Sequence, residues 1–247
     1  MSKFATIYGL LYGDEWNLHQ RFLDSLLRHV PRGAVDMRFW CNTVGDETKK
    51  YLHQHQRKRV DQMLRDETLD YYLCADNRPK YKAMSEMFQF RWKPESEWII
   101  WFDDDSYIYK PDWWNKTVAH IKDHPTTKYM GQPWFVHHLP GQWEFIQKAG
   151  WYNGLPPEQC PTRKKGVKKP GISFAQGAYW WLRTDLMKQL KWPDPRLNHN
   201  GGDTLLGEAV RQQRIKLDKF SYGVKVNKHK RRGFHEKPAG STTNVRR

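Results

Sequence analysis

Apolar positions recur along the first half of the chain with two periods, and each period marks a kind of element. Residues 4–11 form a short apolar run, broken by Gly9 and ended by Gly13-Asp14, which predicts a first buried strand. Leu18, Phe22, Leu26 and Leu27, with Val30, recur at helical spacing until Pro31 stops the pattern. A second strand over 35–41, a polar helix over 49–64 and a third strand over 71–75 follow. Met84, Met87, Phe88 and Arg91 repeat at helical spacing within 82–92. Residues 98–102 are then continuously apolar and end abruptly in Asp103, Asp104 and Asp105. This alternation predicts an α/β fold with a mostly parallel sheet covered on both faces. Ligands of such sheets bind beyond the carboxyl ends of the strands, where the three aspartates fall.

The second half is less regular. Strands are predicted over 128–136 and 172–182 and helices over 184–190 and 204–213, while the Pro/Gly-rich, basic stretch 141–171 reads as a mobile loop. No internal repeat is visible. A length of 247 residues suits one generous domain, and 13 Trp within an aromatic content of 15% supply a substantial core, so wholesale disorder is excluded. The spacing of Cys41, Cys74 and Cys160 suggests neither a disulfide framework nor a zinc site. The N-terminus lacks a basic start, and no segment approaches a membrane span of about 18 apolar residues, which predicts a soluble, cytoplasmic protein.

Charge changes the picture. The formal net charge is +15, and the excess is clustered: Arg163, Lys164, Lys165, Lys168 and Lys169 in one stretch, Lys225, Lys228, Lys230, Arg231 and Arg232 in another. Clustered cations suit a polyanionic partner, since they bind phosphates by releasing counterions.

Three aspartates directly after a buried strand repel one another, and one takes up a proton unless a cation is present. A divalent metal, Mn²⁺ or Mg²⁺, resolves the conflict and also bridges the oxygens of a diphosphate. The triplet points to a metal more strongly than to a reaction.

The neighbouring motifs narrow the reaction. Lys82-Ala83-Met84-Ser85-Glu86-Met87-Phe88, followed by 98–102, Asp103-Asp104-Asp105 and Ser106-Tyr107-Ile108, resembles the Fringe-like and core-1 galactosyltransferase-like families of GT-A glycosyltransferases. Gln176-Gly177-Ala178-Tyr179-Trp180-Trp181-Leu182 resembles their Gly-Gly-Ala-Gly-Tyr strand. The run from Asn200 through Gly202-Asp203 to Gly207 resembles their later acidic motif, and Phe234-His235 their C-terminal metal-binding histidine. Gly202 stands where those families often carry a second acid.

The resemblance implies a single GT-A (Rossmann-like) domain, with 1–110 as the nucleotide-sugar half and 111–247 as the acceptor-binding and metal-closing half. It implies a nucleoside-diphosphate sugar donor, taken as a UDP-sugar, and a metal held by Asp103, Asp105 and His235. Asp203 is the candidate general base of an inverting displacement, with an ordinary helix cap as its alternative role. Tyr8, Asp14, Asp103, Asp104, Gln176 and Gly177 are assigned to the donor, and Lys82, Lys230 and Arg232 to its phosphates. The basic loops 163–169 and 225–232 make DNA bearing hydroxymethylated pyrimidines the expected acceptor. A cytosolic transferase building a cell-surface glycan, and a metal-dependent nuclease or DNA-binding protein, are the competing readings.

Overall fold

The computed structural model describes residues 3–31, 33–61, 69–226 and 237–242. In chain order its elements are β1 (Ala5–Tyr12), α1 (Trp16–His29), β2 (Val35–Asn42), α2 (Asp46–Asp61), β3 (Leu69–Cys74) and α3 (Lys80–Ser85), which runs into a π-helical turn, Glu86–Arg91. There follow β4 (Trp98–Asp103), β5 (Ser106–Ile108), α4 (Trp113–Asp123), β6 (Tyr129–His137), α5 (Gln142–Gln147), β7 (Glu158–Pro161) and β8 (Lys168–Arg183). The last are α6 (Thr184–Leu190), α7 (Gly202–Gln212) and β9 (Val224–Val226).

One seven-stranded sheet runs β3-β2-β1-β4-β8-β6, with β7 paired to the outer part of β8; β5 and β9 form a separate ribbon. The sheet is mixed. β3, β2, β1 and β4 pair in parallel, whereas β8 is antiparallel to β4, β6 and β7. β4 reads as an unbroken apolar run because both its faces are covered. Ile99 and Trp101 enter the core beneath α3, α6 and α7, and Trp98, Ile100 and Phe102 the core beneath α1 and α4. Trp101 lies nearly parallel to Trp180 of β8, with centroids 6.0 Å apart. Cutting such a core tryptophan to Ala costs about 3–5 kcal/mol.

Two expectations are corrected here. Residues 141–171 are not one loop, since they contain α5, β7 and the start of β8. The helix expected over 82–92 begins at Lys80 and widens to π-helical winding after Ser85. Register explains where the site forms. Phe102 pairs with Tyr179, so residues 168–177 of β8 project beyond the carboxyl end of β4, flanked by β6 and β7. This projecting ribbon walls the strand ends on one side. No helix among the described residues is long and apolar enough to cross a membrane.

Candidate active site

The turn from β4 to β5 sends its three carboxylates in different directions. Ser106 fixes the turn, its Oγ lying within hydrogen-bond distance of the backbone carbonyls of Asp103 (2.5 Å) and Ala178 (2.8 Å), which share its one proton. Asp103 accepts from Trp101 Nε1 (2.8 Å) and from Lys80 Nζ (3.0 Å). Asp104 is 3% exposed; its Oδ2 accepts the Tyr12 backbone N–H (2.8 Å) and lies 3.0 Å from His19 Nε2. His19 in turn meets Thr48 Oγ1 through Nδ1 (2.8 Å), so the middle aspartate ties the turn to β1, α1 and α2. Asp105 differs from both, because its buried Oδ1 has no hydrogen-bond partner among the described residues. Burial, reinforced by the Asp103 charge, pushes its pKa up to about 7. A carboxylate held dry and short of donors is a fitting ligand for a hard cation.

Across the strand ends stands a second cluster. Lys80, at the start of α3, is 7% exposed, and its Nζ donates to Asp103 and to the Gly177 carbonyl (2.9 Å) and lies 3.6 Å from Asp203 Oδ1. Burial opposes the lysine's charge, but Asp103 and then Asp203 outweigh it and raise its pKa. Asp203 lies in the first turn of α7, whose N-cap position is Gly201, and accepts a 2.6 Å hydrogen bond from Tyr81 Oη. Burial, then the Asp203 charge, holds the Tyr81 phenol well above its usual pKa, so it remains a donor. Two glycines permit this packing. A Cβ on Gly177 would lie 1.8 Å from Asp203 Oδ2, and one on Gly202 would lie 2.1 Å from the Tyr81 ring. The missing second acid at 202 therefore has a steric cause.

The structure brings Asp103, Asp105, Asp203, Gly177 and the neighbouring half-buried Gln176 to one edge. Asp14 is exposed just after β1, packed over Gly45. Three donor assignments are corrected. Tyr8 is fully buried, donates to the Trp92 carbonyl and packs edge-on to Phe88, so it offers no face to a nucleoside. Asp104 is spent on the scaffold. Lys82 donates to the Pro195 carbonyl, away from the aspartates; residues two apart on a helix point about 200° apart. The lysine at the site is Lys80, which opens α3 two residues before the helix that the sequence pattern marks. Lys230, Arg232 and His235 lie outside the described residues.

The sequence profile of glycosyl transferase family 2 matches residues 14–191, most of the chain. The chain belongs to glycosyl transferase family 2. The GT-A resemblance thus holds for the fold, with family 2 as the family shown. Asp203 lies beyond the matched stretch of this family 2 chain, and its place at the site rests on geometry. No curated protein matches the sequence. Among solved structures, the mannosyltransferase PcManGT from Pyrobaculum calidifontis, in complex with GDP-Man and Mn²⁺, is similar with a TM-score of 0.59 and 15% identity, over 95% of this chain and 59% of that one. S. aureus TarS 1–349 with UDP-GlcNAc gives 0.57 and 14%, over 94% and 60%. GalNAc-T7 with UDP, GalNAc and Mn²⁺ gives 0.57 and 12%, over 86% and 41%. These likenesses show the GT-A fold, and the chain spans about three-fifths or less of each neighbour.

Proposed function

We propose that this chain is a metal-dependent, inverting glycosyltransferase that moves a sugar from a nucleoside-diphosphate sugar, taken as a UDP-sugar, to a hydroxyl on DNA bearing hydroxymethylated pyrimidines. One observation carries the reading: Asp105, whose buried Oδ1 has no hydrogen-bond partner among the described residues, lies within electrostatic reach of Lys80, which together with Tyr81 also holds the Asp203 carboxylate.

The division of labour follows the fold. Residues 1–110 carry the donor side, with Asp14 at its rim and the triplet at its floor, and 111–247 carry the acceptor side, with β8, α7 and Asp203. Mn²⁺ or Mg²⁺ supplies the positive charge that stabilises the departing diphosphate. Asp103 and Asp105 supply two ligands; no group of three His, Cys, Asp or Glu poised for a metal occurs among the described residues. His235 is the proposed third. Its supporting brackets are Val226, paired with Ser106 beside the triplet, and Ala239, whose N–H donates to the Asn200 carbonyl near Asp203. Lys230 and Arg232, between the same brackets, are proposed to face the diphosphate. Gln176 and Gly177 border the sugar.

Asp203 accepts the proton of the acceptor hydroxyl as its oxygen attacks the anomeric carbon. The bond from that carbon to the diphosphate oxygen breaks, the diphosphate leaves with the electron pair, and the configuration inverts. Lys80 and Tyr81 hold the base in place for this step. The DNA acceptor is supported by the net charge of +15 and by Arg163, Lys164, Lys165, Lys168 and Lys169, all exposed on the β7–β8 hairpin.

The test combines a panel of nucleotide sugars with hydroxymethylated DNA and Mn²⁺, with nucleosides read by mass spectrometry. Asp105→Ala should abolish turnover and weaken nucleoside-diphosphate binding. Asp203→Asn should keep donor affinity and slow the chemical step about 10²–10⁴-fold. Full activity in excess EDTA, or parent-rate transfer by Asp203→Asn, would refute the assignments.

A further inference from the structure

His19 interrupts the apolar face of α1. That face is built from Leu18, Phe22, Leu23 and Leu26, and the histidine stands within it at 0% exposure. An apolar side chain would continue the face, and exchanging a buried His–Asp pair for well-packed apolar residues is often neutral or stabilising. Stability alone therefore gives no reason for an imidazole at this position.

What the imidazole does is hold Asp104. β1 and β4 pair in parallel as far as Leu10 and Asp103. Beyond that point the Asp104 side chain takes over from the backbone, its Oδ2 accepting the Tyr12 N–H at 2.8 Å and facing His19 Nε2 at 3.0 Å. An ionised carboxylate can only accept, so Nε2 carries a proton, and Nδ1, 2.8 Å from Thr48 Oγ1, accepts from that hydroxyl. Thr48 is also fully buried, in the first turn of α2, and fixes the ring from behind. Asp105 is where this bears on chemistry. Asp103 is held directly by Trp101 and Lys80, whereas Asp105 Oδ1 has no hydrogen-bond partner among the described residues. Its aim is set by the backbone on either side: at Ser106, whose Oγ lies 2.8 Å from the Ala178 carbonyl, and at Asp104, held by His19 and Tyr12.

We infer that His19 is a positioning residue for the divalent metal: acting through Asp104, it holds the β4–β5 turn so that Asp103 and Asp105 face one cation together. Metal ligands must be held within about 0.5 Å of their working geometry, and a ligand that lacks its own hydrogen bond depends on its neighbours for that precision. Outer partners of metal ligands typically contribute about 10- to 100-fold in metal affinity, and the lower figure suits a residue acting through an intervening carboxylate. The inference rests on the metal of the function proposed above.

Binding of Mn²⁺ alone to the full chain, followed by the paramagnetic resonance signal of the free ion, tests it beside melting in EDTA. The amide nitrogen of Gln reaches the place of Nε2 and that of Asn the place of Nδ1. His19→Gln thus keeps the bond to Asp104 and gives up Thr48, and His19→Asn does the reverse. Each loses one buried hydrogen bond, so both should melt below the parent by a similar amount. Mn²⁺ affinity should separate them: about 10-fold weaker for His19→Asn, within about 3-fold of the parent for His19→Gln. Thr48→Val removes the far bond at nearly constant volume, and it should melt lower while keeping Mn²⁺ affinity within about 3-fold. Equal Mn²⁺ affinities for His19→Asn and His19→Gln, or affinities that follow melting temperature across the three variants, overturn the inference. Should His19→Asn not fold, the other two still decide: a loss of about 10-fold in either overturns the inference, and intact affinity in a protein that melts lower supports it. A parent that binds no Mn²⁺ removes the metal reading and this inference together, a result distinct from a parent that binds Mn²⁺ and variants that do not differ.

Discussion

Lys80 carries more of the site than any residue that sequence pattern singles out. One ammonium touches the first aspartate of the triplet, the backbone of β8 and the proposed base. Replacing it with Met leaves two half-buried carboxylates without their shared cation, and a base displaced by about an ångström loses on the order of 10²-fold in rate. We expect Lys80→Met to lower kcat by that amount, while Lys82→Met, which loses only a bond to the Pro195 carbonyl, changes kcat little; equal losses would remove Lys80 from this role. Period alone gave no means of ranking the two lysines, because Lys80 precedes the first helical repeat and its partners arrive 23 to 123 residues later in the chain.

Asp105 makes a prediction of its own sign. Its folded-state pKa is about 7 against an ordinary 3.8, so between those values the folded protein holds a proton that the unfolded chain has released. Stability of the metal-free protein therefore falls as pH rises through this window, and the loss is complete above about 7. Asp105→Asn imitates the neutral form. In EDTA it should melt higher than the parent at pH 8, with little difference near pH 4.5, and Mn²⁺ at pH 8 should raise only the parent. A melting-temperature gap independent of pH would show that burial of the charge is not what sets it.

At the scale of elements, the site is a junction of α3, β4, β8 and α7, and its tolerance is set by the glycines between them. Adding a methyl at Gly202 would drive it into the Tyr81 ring, which is buried and bonded to Asp203. Overpacking of this kind typically costs about 1–3 kcal/mol. Gly202→Ala should lower the melting temperature and the rate together, whereas Gly150→Ala, where no atom lies within 4 Å, should stay within about 0.5 kcal/mol of the parent. Calorimetry on the pair checks this. The strands and their order along the chain were legible because β1, β2 and β4 are apolar runs bounded by turn residues. Their directions were not: nothing in the apolar period of β8 distinguishes a parallel from an antiparallel partner. α4 escaped notice because its buried side chains, Trp113, Trp114, Thr117 and Ile121, form a short stripe interrupted by Asn115 and Lys116. The hairpin within 141–171 was hidden by its own composition, since β7 is Glu-Gln-Cys-Pro and β8 starts Lys-Lys-Pro-Gly, neither showing an apolar alternation.

At the scale of the whole molecule, the +15 charge is the feature that most constrains the acceptor. If it served solubility alone, the cations would be spread. Instead Arg163, Lys164, Lys165, Lys168 and Lys169 are exposed together on a hairpin that the register of β8 carries beyond the strand ends. From Gly177 to Lys168 is nine residues, about 30 Å of extended chain. Under the acceptor proposed above, the tip is expected to hold the polymer at a distance from the reacting unit, a grip of no use to a small acceptor. Replacing Lys164, Lys165, Lys168 and Lys169 with Ala should therefore weaken binding of duplex DNA steeply at low salt and reduce the slope of affinity against salt, by up to about 3.6 if each contacts one phosphate. The same variant should keep the parent's turnover on a hydroxymethylated mononucleoside, which is too short to reach the hairpin. Filter binding across a salt series, beside transfer assays on mononucleoside and on DNA, reads both arms. A variant that loses both substrates equally would show that the hairpin supports the fold of the ribbon; one that loses neither would leave the charge to solubility and take DNA away as the acceptor.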